Sequence, residues 1–215
     1  MNKPKRILFN LFLGTVTCML LIGGSNFSLN HNAFASILNL PTSQVSLAPT
    51  QDLPASNLVA SLHEAESTLM AQGASGQAVT RYVAVLKRSE VVPTTPSTSA
   101  FGAAGAVLMG DRLVIRGDYS NLTSALRDYA TDPLDPPNPN ITSGIHVHMG
   151  EPTENGPFQY ALTVMPNASE RAGRFSGEYT LTTEQLQSLS MGKLYVDIHT
   201  TRNRGGELRG IFQAY

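Results

Sequence analysis

The sequence has one cysteine, no tryptophan and few charged residues, and these scarcities exclude several classes of protein. A chain with one cysteine cannot form an internal disulfide, so it is not a disulfide-stabilised scaffold. It contains no Gly-rich phosphate loop and no dinucleotide-binding fingerprint. The low charge content and the 18 glycines and 13 prolines favour strands and turns over long helices.

The N-terminus has the three parts of a secretory signal peptide. Three basic residues, Lys3, Lys5 and Arg6, precede an apolar run over 7–22, and the sequence Ala-Phe-Ala follows at 33–35. The sequence therefore predicts a signal peptide over 1–35, cleavage after Ala35 and a mature chain that starts at Ser36. Retention of the run as a membrane anchor is the alternative.

Cleavage would leave a mature chain that is acidic and free of cysteine, because Cys18 lies in the apolar run. Removing three of the 15 basic residues leaves twelve against 16 acidic residues, a net charge of −4. The sequence predicts a secreted or periplasmic protein with no membrane span after cleavage. The negative charge argues against a nucleic-acid partner.

Residues 36–78 are expected to form a linker that contains a short helix. The stretch over 36–56 is rich in Pro, Ser and Thr and has no sustained period. Over 56–73, apolar residues recur at spacings of three and four at Leu58, Leu62, Ala65 and Leu69. Gly73 is a typical residue for the end of such a helix.

Residues 79–215 have the pattern of a β domain. Short alternating runs are separated by Gly, Pro or Asn, and Gly110-Asp111 lies between two apolar runs, which is typical of a hairpin. The proline-rich stretch over 127–140 predicts a long loop. Residues 182–192 predict one short helix. We expect an all-β, antiparallel Greek-key sandwich or barrel of about eight strands with one short helix.

Two predicted strands place histidines opposite their apolar residues. In "GIHVHMG", residues 144–150, His146 and His148 point to one side of the strand and the β-branched residues to the other. In "KLYVDIHTT", residues 193–201, Asp197 and His199 share the polar side with Tyr195.

If these strands are neighbours, three imidazoles converge on one surface, because adjacent strands lie about 4.8 Å apart. Three histidines suit Zn or Cu. Asp197 could orient a ligand histidine or bind the ion directly. The alternative interpretation is an ordinary strand with a polar outer face. In the last predicted strand, Glu207 and Arg209 share a face and are expected to pair.

These segments resemble the chordin-type (CHRD) domain. That family shows a His-x-His strand, a Leu-Thr-x-x-Gln helix, then Gly-x-Leu-Tyr-Val-Asn-Ile-His-Thr and Gly-Glu-Ile-Arg-Gly. The resemblance runs from about Arg81 to Phe212 and is most specific over 144–210. Here Met149 stands where the family usually has Gly, Asp197 stands where it usually has Asn, and the loop over 127–140 is longer.

The resemblance implies a secreted binding module for a protein or matrix component. In chordin, such domains belong to a secreted antagonist of bone morphogenetic proteins, and many bacterial secreted proteins carry one copy. "GIHVH" is also similar to the copper-ligand strand of Cu,Zn superoxide dismutase, although the disulfide cysteines and the His-rich zinc loop are missing. No catalytic nucleophile motif is apparent, so the sequence favours a binding module, and a metal-dependent redox enzyme is the alternative.

Overall fold

The structure, a computed structural model, describes residues 55–73, 76 and 78–215. The predicted signal peptide and the first part of the predicted linker lie outside the described residues, so the boundaries at 35 and 36 remain predictions. No helix in the described part of the chain is long and apolar enough to cross a membrane.

In the described part of the chain, ten strands form two antiparallel sheets. The strands are β1 (Val79–Leu86), β2 (Phe101–Met109), β3 (Arg112–Ser120), β4 (Ile145–Met149), β5 (Phe158–Ala161), β6 (Thr163–Pro166), β7 (Gly173–Thr180), β8 (Leu194–Ile198), β9 (Leu208–Ile211) and β10 (Gln213–Ala214). The larger sheet has the order β10-β1-β2-β3-β7-β6, and the smaller has the order β5-β4-β8-β9. The predicted antiparallel all-β sandwich is confirmed.

The strand count exceeds the predicted eight for a local reason. Leu162 alone separates β5 from β6, yet these two strands belong to different sheets. A single apolar run over this region therefore contributes a strand to each layer, and β10 adds a further two-residue strand.

The main core lies between the two sheets. On β4, Ile145 and Val147 are fully buried, and on β8 the buried apolar residues are Leu194, Val196 and Ile198. These are the alternate positions that the sequence pattern assigned to the apolar face. Burying each such side chain stabilises the fold by about 1.5–3 kcal/mol before entropy is counted.

Helix α1 (Ala55–Ala71) packs on the large sheet and forms a second apolar cluster. Its buried residues Leu62, Ala65 and Leu69 contact Val107 of β2 and Val114 of β3. The spacing of three and four places these residues on one face of the helix, as the sequence predicted.

Helix α2 (Thr183–Ser190) has the predicted ends. The Thr182 hydroxyl accepts a hydrogen bond from the Gln185 backbone N–H, and the Gln185 side chain accepts one from the Thr182 backbone N–H. This reciprocal cap satisfies two backbone donors at the start of the helix. Gly192, with a φ of 69°, follows the helix in the left-handed conformation that glycine adopts without steric cost.

Loops cover the outer face of the small sheet at the histidines. Three connections contribute: 121–144 between β3 and β4, 150–157 between β4 and β5, and 199–207 between β8 and β9. His146, Asp197 and His199 are consequently only 2%, 3% and 8% exposed. The predicted polar outer face is thus largely covered, and His148 on the same face is half-buried.

Candidate metal centre

The pairing of β4 with β8 brings the two histidine segments together. In the antiparallel register, His146 lies opposite Asp197 and His148 lies opposite Tyr195. His199 follows directly after β8, and its backbone N–H donates to the carbonyl of Gly144 at 2.7 Å. The side chains of these alternate residues therefore lie on one face of the sheet.

The three imidazoles form a compact cluster. One potential ligand atom from each of His146, His148 and His199 lies within 4.8 Å of the others. The ring centroids of His146 and His199 are 4.9 Å apart, and His148 lies 5.7 Å and 6.1 Å from them. Nitrogens bound to one ion at about 2.0–2.1 Å lie about 3.3 Å apart in a tetrahedron. Small rotations of the three side chains would bring these nitrogens from the present spacing to the spacing that one ion requires.

Backbone carbonyls fix the tautomers of His148 and His199. The Nδ1 of His148 lies 3.0 Å from the carbonyl oxygen of Gly156, and the Nδ1 of His199 lies 3.0 Å from that of Arg204. A carbonyl oxygen only accepts, so each Nδ1 carries the hydrogen and donates it. The lone pair of each neutral ring is therefore on Nε2.

These two Nε2 atoms are buried and have no hydrogen-bond partner among the described residues. His146 has the opposite arrangement, because its Nε2 lies 2.5 Å from the carbonyl oxygen of Ser143, which leaves the lone pair on Nδ1. Each ring thus has one nitrogen bonded to the backbone and one free to bind an ion. This is the usual arrangement of metal-binding histidines.

Burial keeps the rings neutral. Burial, together with the neighbouring His199, lowers the pKa of His146 to about 3. Burial also lowers the pKa of His148 and of His199, and in both rings the charge of Asp197 works in the opposite direction. Neutral imidazole is the form that binds metal ions.

Asp197 lies beside the histidines in a buried ion pair. Its two carboxylate oxygens accept hydrogen bonds from Nε and Nη2 of Arg209, each at 2.7 Å. Arg209 also donates to the carbonyl oxygens of Pro152 and Glu154 and to the side chain of Asn155. The structure therefore brings the three predicted histidines together and places Asp197 in contact with an arginine next to them.

The expected pairing of Glu207 with Arg209 is wrong. Arg209 lies directly opposite Asp197 in the β8–β9 register and pairs with it. Glu207 instead accepts hydrogen bonds from Thr98, Thr123, Thr200 and Asn203. Residues directly opposite on adjacent strands are about 4.5–5.5 Å apart, which is closer than residues two apart on one strand.

Aromatic rings line the cluster. Phe158 meets His146 edge to face with centroids 5.5 Å apart, and Tyr195 stacks on His148 at 5.5 Å. The Tyr129 ring lies 5.1 Å from His146. The alternation of Tyr195 with Asp197 and His199 was visible in the sequence. Tyr129 lies in a long loop, where no periodic signal could assign it to the cluster.

The loop over 150–157 can lie close enough to β4 to bind His148 because residue 156 is a glycine. A Cβ on Gly156 would collide with the carbonyl group of Met149, so the 150–157 loop approaches β4 only with glycine there. The Gly156 N–H donates to the Tyr195 hydroxyl at 2.6 Å, while its carbonyl accepts from His148.

A comparison with known protein families shows which family the chain belongs to. The family model described as CHRD domain matches residues 82–212, from within β1 to the residue after β9, and this range includes all three histidines of the cluster. The chain belongs to the CHRD-domain family. A search among curated proteins found no match. In this CHRD chain, helix α1 precedes the matched region.

Proposed function

We propose that this CHRD domain binds a transition-metal ion, zinc or copper, through Nδ1 of His146 and Nε2 of His148 and His199. The observation that carries the proposal is the pair of buried Nε2 atoms without hydrogen-bond partners in the described structure. A buried polar atom left unpaired costs about 1–3 kcal/mol, and an ion would supply the missing partner for both. Imidazole is a good ligand for both metals.

Metal analysis of the purified mature domain tests this proposal. We expect about one Zn or Cu per chain, and isothermal titration of the chelator-treated protein should give one site. Replacing His146, His148 or His199 by Ala should weaken binding at least about 100-fold, because even residues that only support ligands contribute roughly 10–100-fold.

His63→Ala is the matched control. His63 lies exposed on α1, outside the β domain, so its loss should leave metal binding unchanged. Sub-stoichiometric metal in the purified protein, combined with no binding of added Zn or Cu, would contradict the proposal.

We also propose that the domain acts as a secreted or periplasmic binding module for a protein or matrix component. Membership of the CHRD family supports a binding role, and the predicted leader over 1–35 supports export. The metal would then hold the three covering loops in place, since a carbonyl oxygen of each loop accepts a hydrogen bond from one ligand histidine.

A metal-dependent redox enzyme is the second candidate. Three protein ligands leave one position of a tetrahedral ion open, which is typical of catalytic sites. Copper-loaded protein that removes superoxide faster than identically treated His146→Ala would support this candidate. Stoichiometric copper without such activity would contradict the enzyme and leave the binding module as the proposed function.

A further inference from the structure

Tyr129 lies against the three-histidine cluster and also lines a surface cleft. Its ring centroid is 5.1 Å from that of His146. The same residue lines a cleft of about 390 Å³ in the proline-rich loop. Leu134, Pro137 and Ile141 also line this cleft. One residue thus borders both the histidine cluster and the cleft.

Charged groups hold the Tyr129 ring in this position. The guanidinium carbon of Arg127 lies 4.5 Å from the ring centroid, and Arg127 Nε donates to Asp132 at 2.9 Å. Asp132 also pairs with Arg204, whose backbone carbonyl accepts from His199. The ring and a ligand histidine are therefore tied to the same ion-pair network.

Two other aromatic groups at the cluster are fixed in the sheet. Phe158 belongs to β5 and Tyr195 belongs to β8, and both pack directly on ligand histidines. Tyr129 lies in a loop and is half-buried, and the cleft beside it has room for a displaced ring. A cavity of about 150 Å³ can hold benzene, and this cleft is larger.

We propose that Tyr129 sets the size of ligand that reaches the open position of the bound metal. With the ring in place, the position accepts small ligands such as a triatomic anion. Ligands as large as an aromatic ring reach it only when Tyr129 is displaced into the cleft. This inference rests on the proposed metal site.

Ligand titration of the copper(II)-loaded mature chain tests the inference. Azide is the small probe and imidazole is the large one, both followed by visible absorption and electron paramagnetic resonance, with bound copper measured after each titration. Tyr129→Ala should raise the apparent affinity for imidazole by roughly threefold to tenfold, the range expected for removing one aromatic contact. The affinity for azide should change by less than about twofold.

Three further variants test whether the change in imidazole affinity comes from the loss of the ring at position 129. Tyr129→Phe keeps the ring and should behave as the wild type. Tyr129→Leu fills more of the space than Ala and should show an intermediate effect, and it serves if Tyr129→Ala fails to fold. Tyr160→Ala removes a half-buried tyrosine that contacts Gln185 and Tyr179 away from the cluster, so it should not change either affinity.

The outcomes distinguish this inference from the proposed function. Wild-type protein that holds copper but binds imidazole as readily as Tyr129→Ala would overturn the role of Tyr129 and leave the metal site standing. Wild-type protein that holds no metal would overturn both.

Discussion

Glu207 is a fully buried carboxylate with no cationic partner among the described residues. Its oxygens accept hydrogen bonds from the backbone N–H of Thr123, the hydroxyls of Thr98, Thr123 and Thr200, and the side-chain amide of Asn203. Burial raises the pKa of Glu207, but these hydrogen bonds together outweigh burial and lower the pKa below its usual 4.5. The charged form is therefore the one that the fold stabilises.

We predict that Glu207→Gln destabilises the domain by about 1–3 kcal/mol at pH 7, because an amide group would face donors that need an acceptor. A lowered pKa in the folded state means that the unfolded chain binds a proton first as the pH falls. The contribution of Glu207 is thus complete above about pH 4.5 and is lost as the pH falls through the folded-state pKa.

Urea unfolding between pH 7 and pH 3 checks this prediction. The difference between the wild type and Glu207→Gln should be constant above about pH 5 and should shrink below about pH 4.5. A difference that stays constant across the whole range would contradict the assignment of a charged Glu207.

The pair of Asp197 and Arg209 is the second buried charged feature. Replacing Asp197 by Asn would leave the buried guanidinium without its counter-charge, and we expect a loss of about 3–5 kcal/mol in the free energy of unfolding. The pair of Glu66 and Arg81 is partly exposed and provides the matched control, for which Glu66→Gln should cost at most about 1 kcal/mol. Equal losses in the two variants would show that burial does not govern the strength of these pairs.

Helix α1 is an element of the folded domain although it precedes the family match. Its apolar residues cover the outer face of the large sheet and contact β2 and β3. Gly105 on β2 gives the helix room, since a Cβ there would lie 2.9 Å from the Cγ of Leu62. The close approach of helix to sheet therefore depends on a residue without a side chain.

We predict that Leu69→Ala lowers the free energy of unfolding by about 2–5 kcal/mol, as is usual for a fully buried leucine. Met70→Ala, a neighbouring change on the exposed side of the helix, should cost less than about 0.5 kcal/mol. Chemical denaturation of both variants measures the comparison. A negligible effect of Leu69→Ala would mean that α1 does not contribute to the cooperative fold.

Local sequence patterns predicted the elements better than the contacts between them. Alternation assigned His146, His148 and His199 to one face because the strand period is two, and the capping residues located α2 at Thr182. The burial of that face was not predictable, because it depends on loops that return from distant parts of the sequence. The partner of Arg209 was mispredicted for the same reason, since the cross-strand register is not visible in one segment.

Over the described part of the molecule, the two sheets are joined at several points by single residues or by a bridge. Leu162 alone links β5 in the small sheet to β6 in the large sheet, and Phe212 alone links β9 to β10 in the same way. An isolated bridge between Lys87 and Arg209 joins the end of β1 to β9. These links restrict sliding of one sheet over the other. The histidine cluster therefore lies on a sheet whose position is fixed at three places.

We predict that the protein is exported and that its mature form starts at Ser36. The basic residues, apolar run and Ala-Phe-Ala sequence of the first 35 residues are the basis for this expectation. N-terminal sequencing of protein recovered from outside the cytoplasm checks it. A chain that still starts at Met1 would contradict the prediction of cleavage.

The three histidines of the cluster are held by backbone carbonyls rather than by other side chains, and this affects how the proposed metal site can vary in evolution. Ser143 and Arg204 could be replaced by many residues without loss of the acceptor, because every residue has a carbonyl oxygen. A one-residue insertion or deletion in the same loops would move the acceptor away from the ring. Relatives that keep the site are thus free to differ in loop sequence and are constrained in loop length.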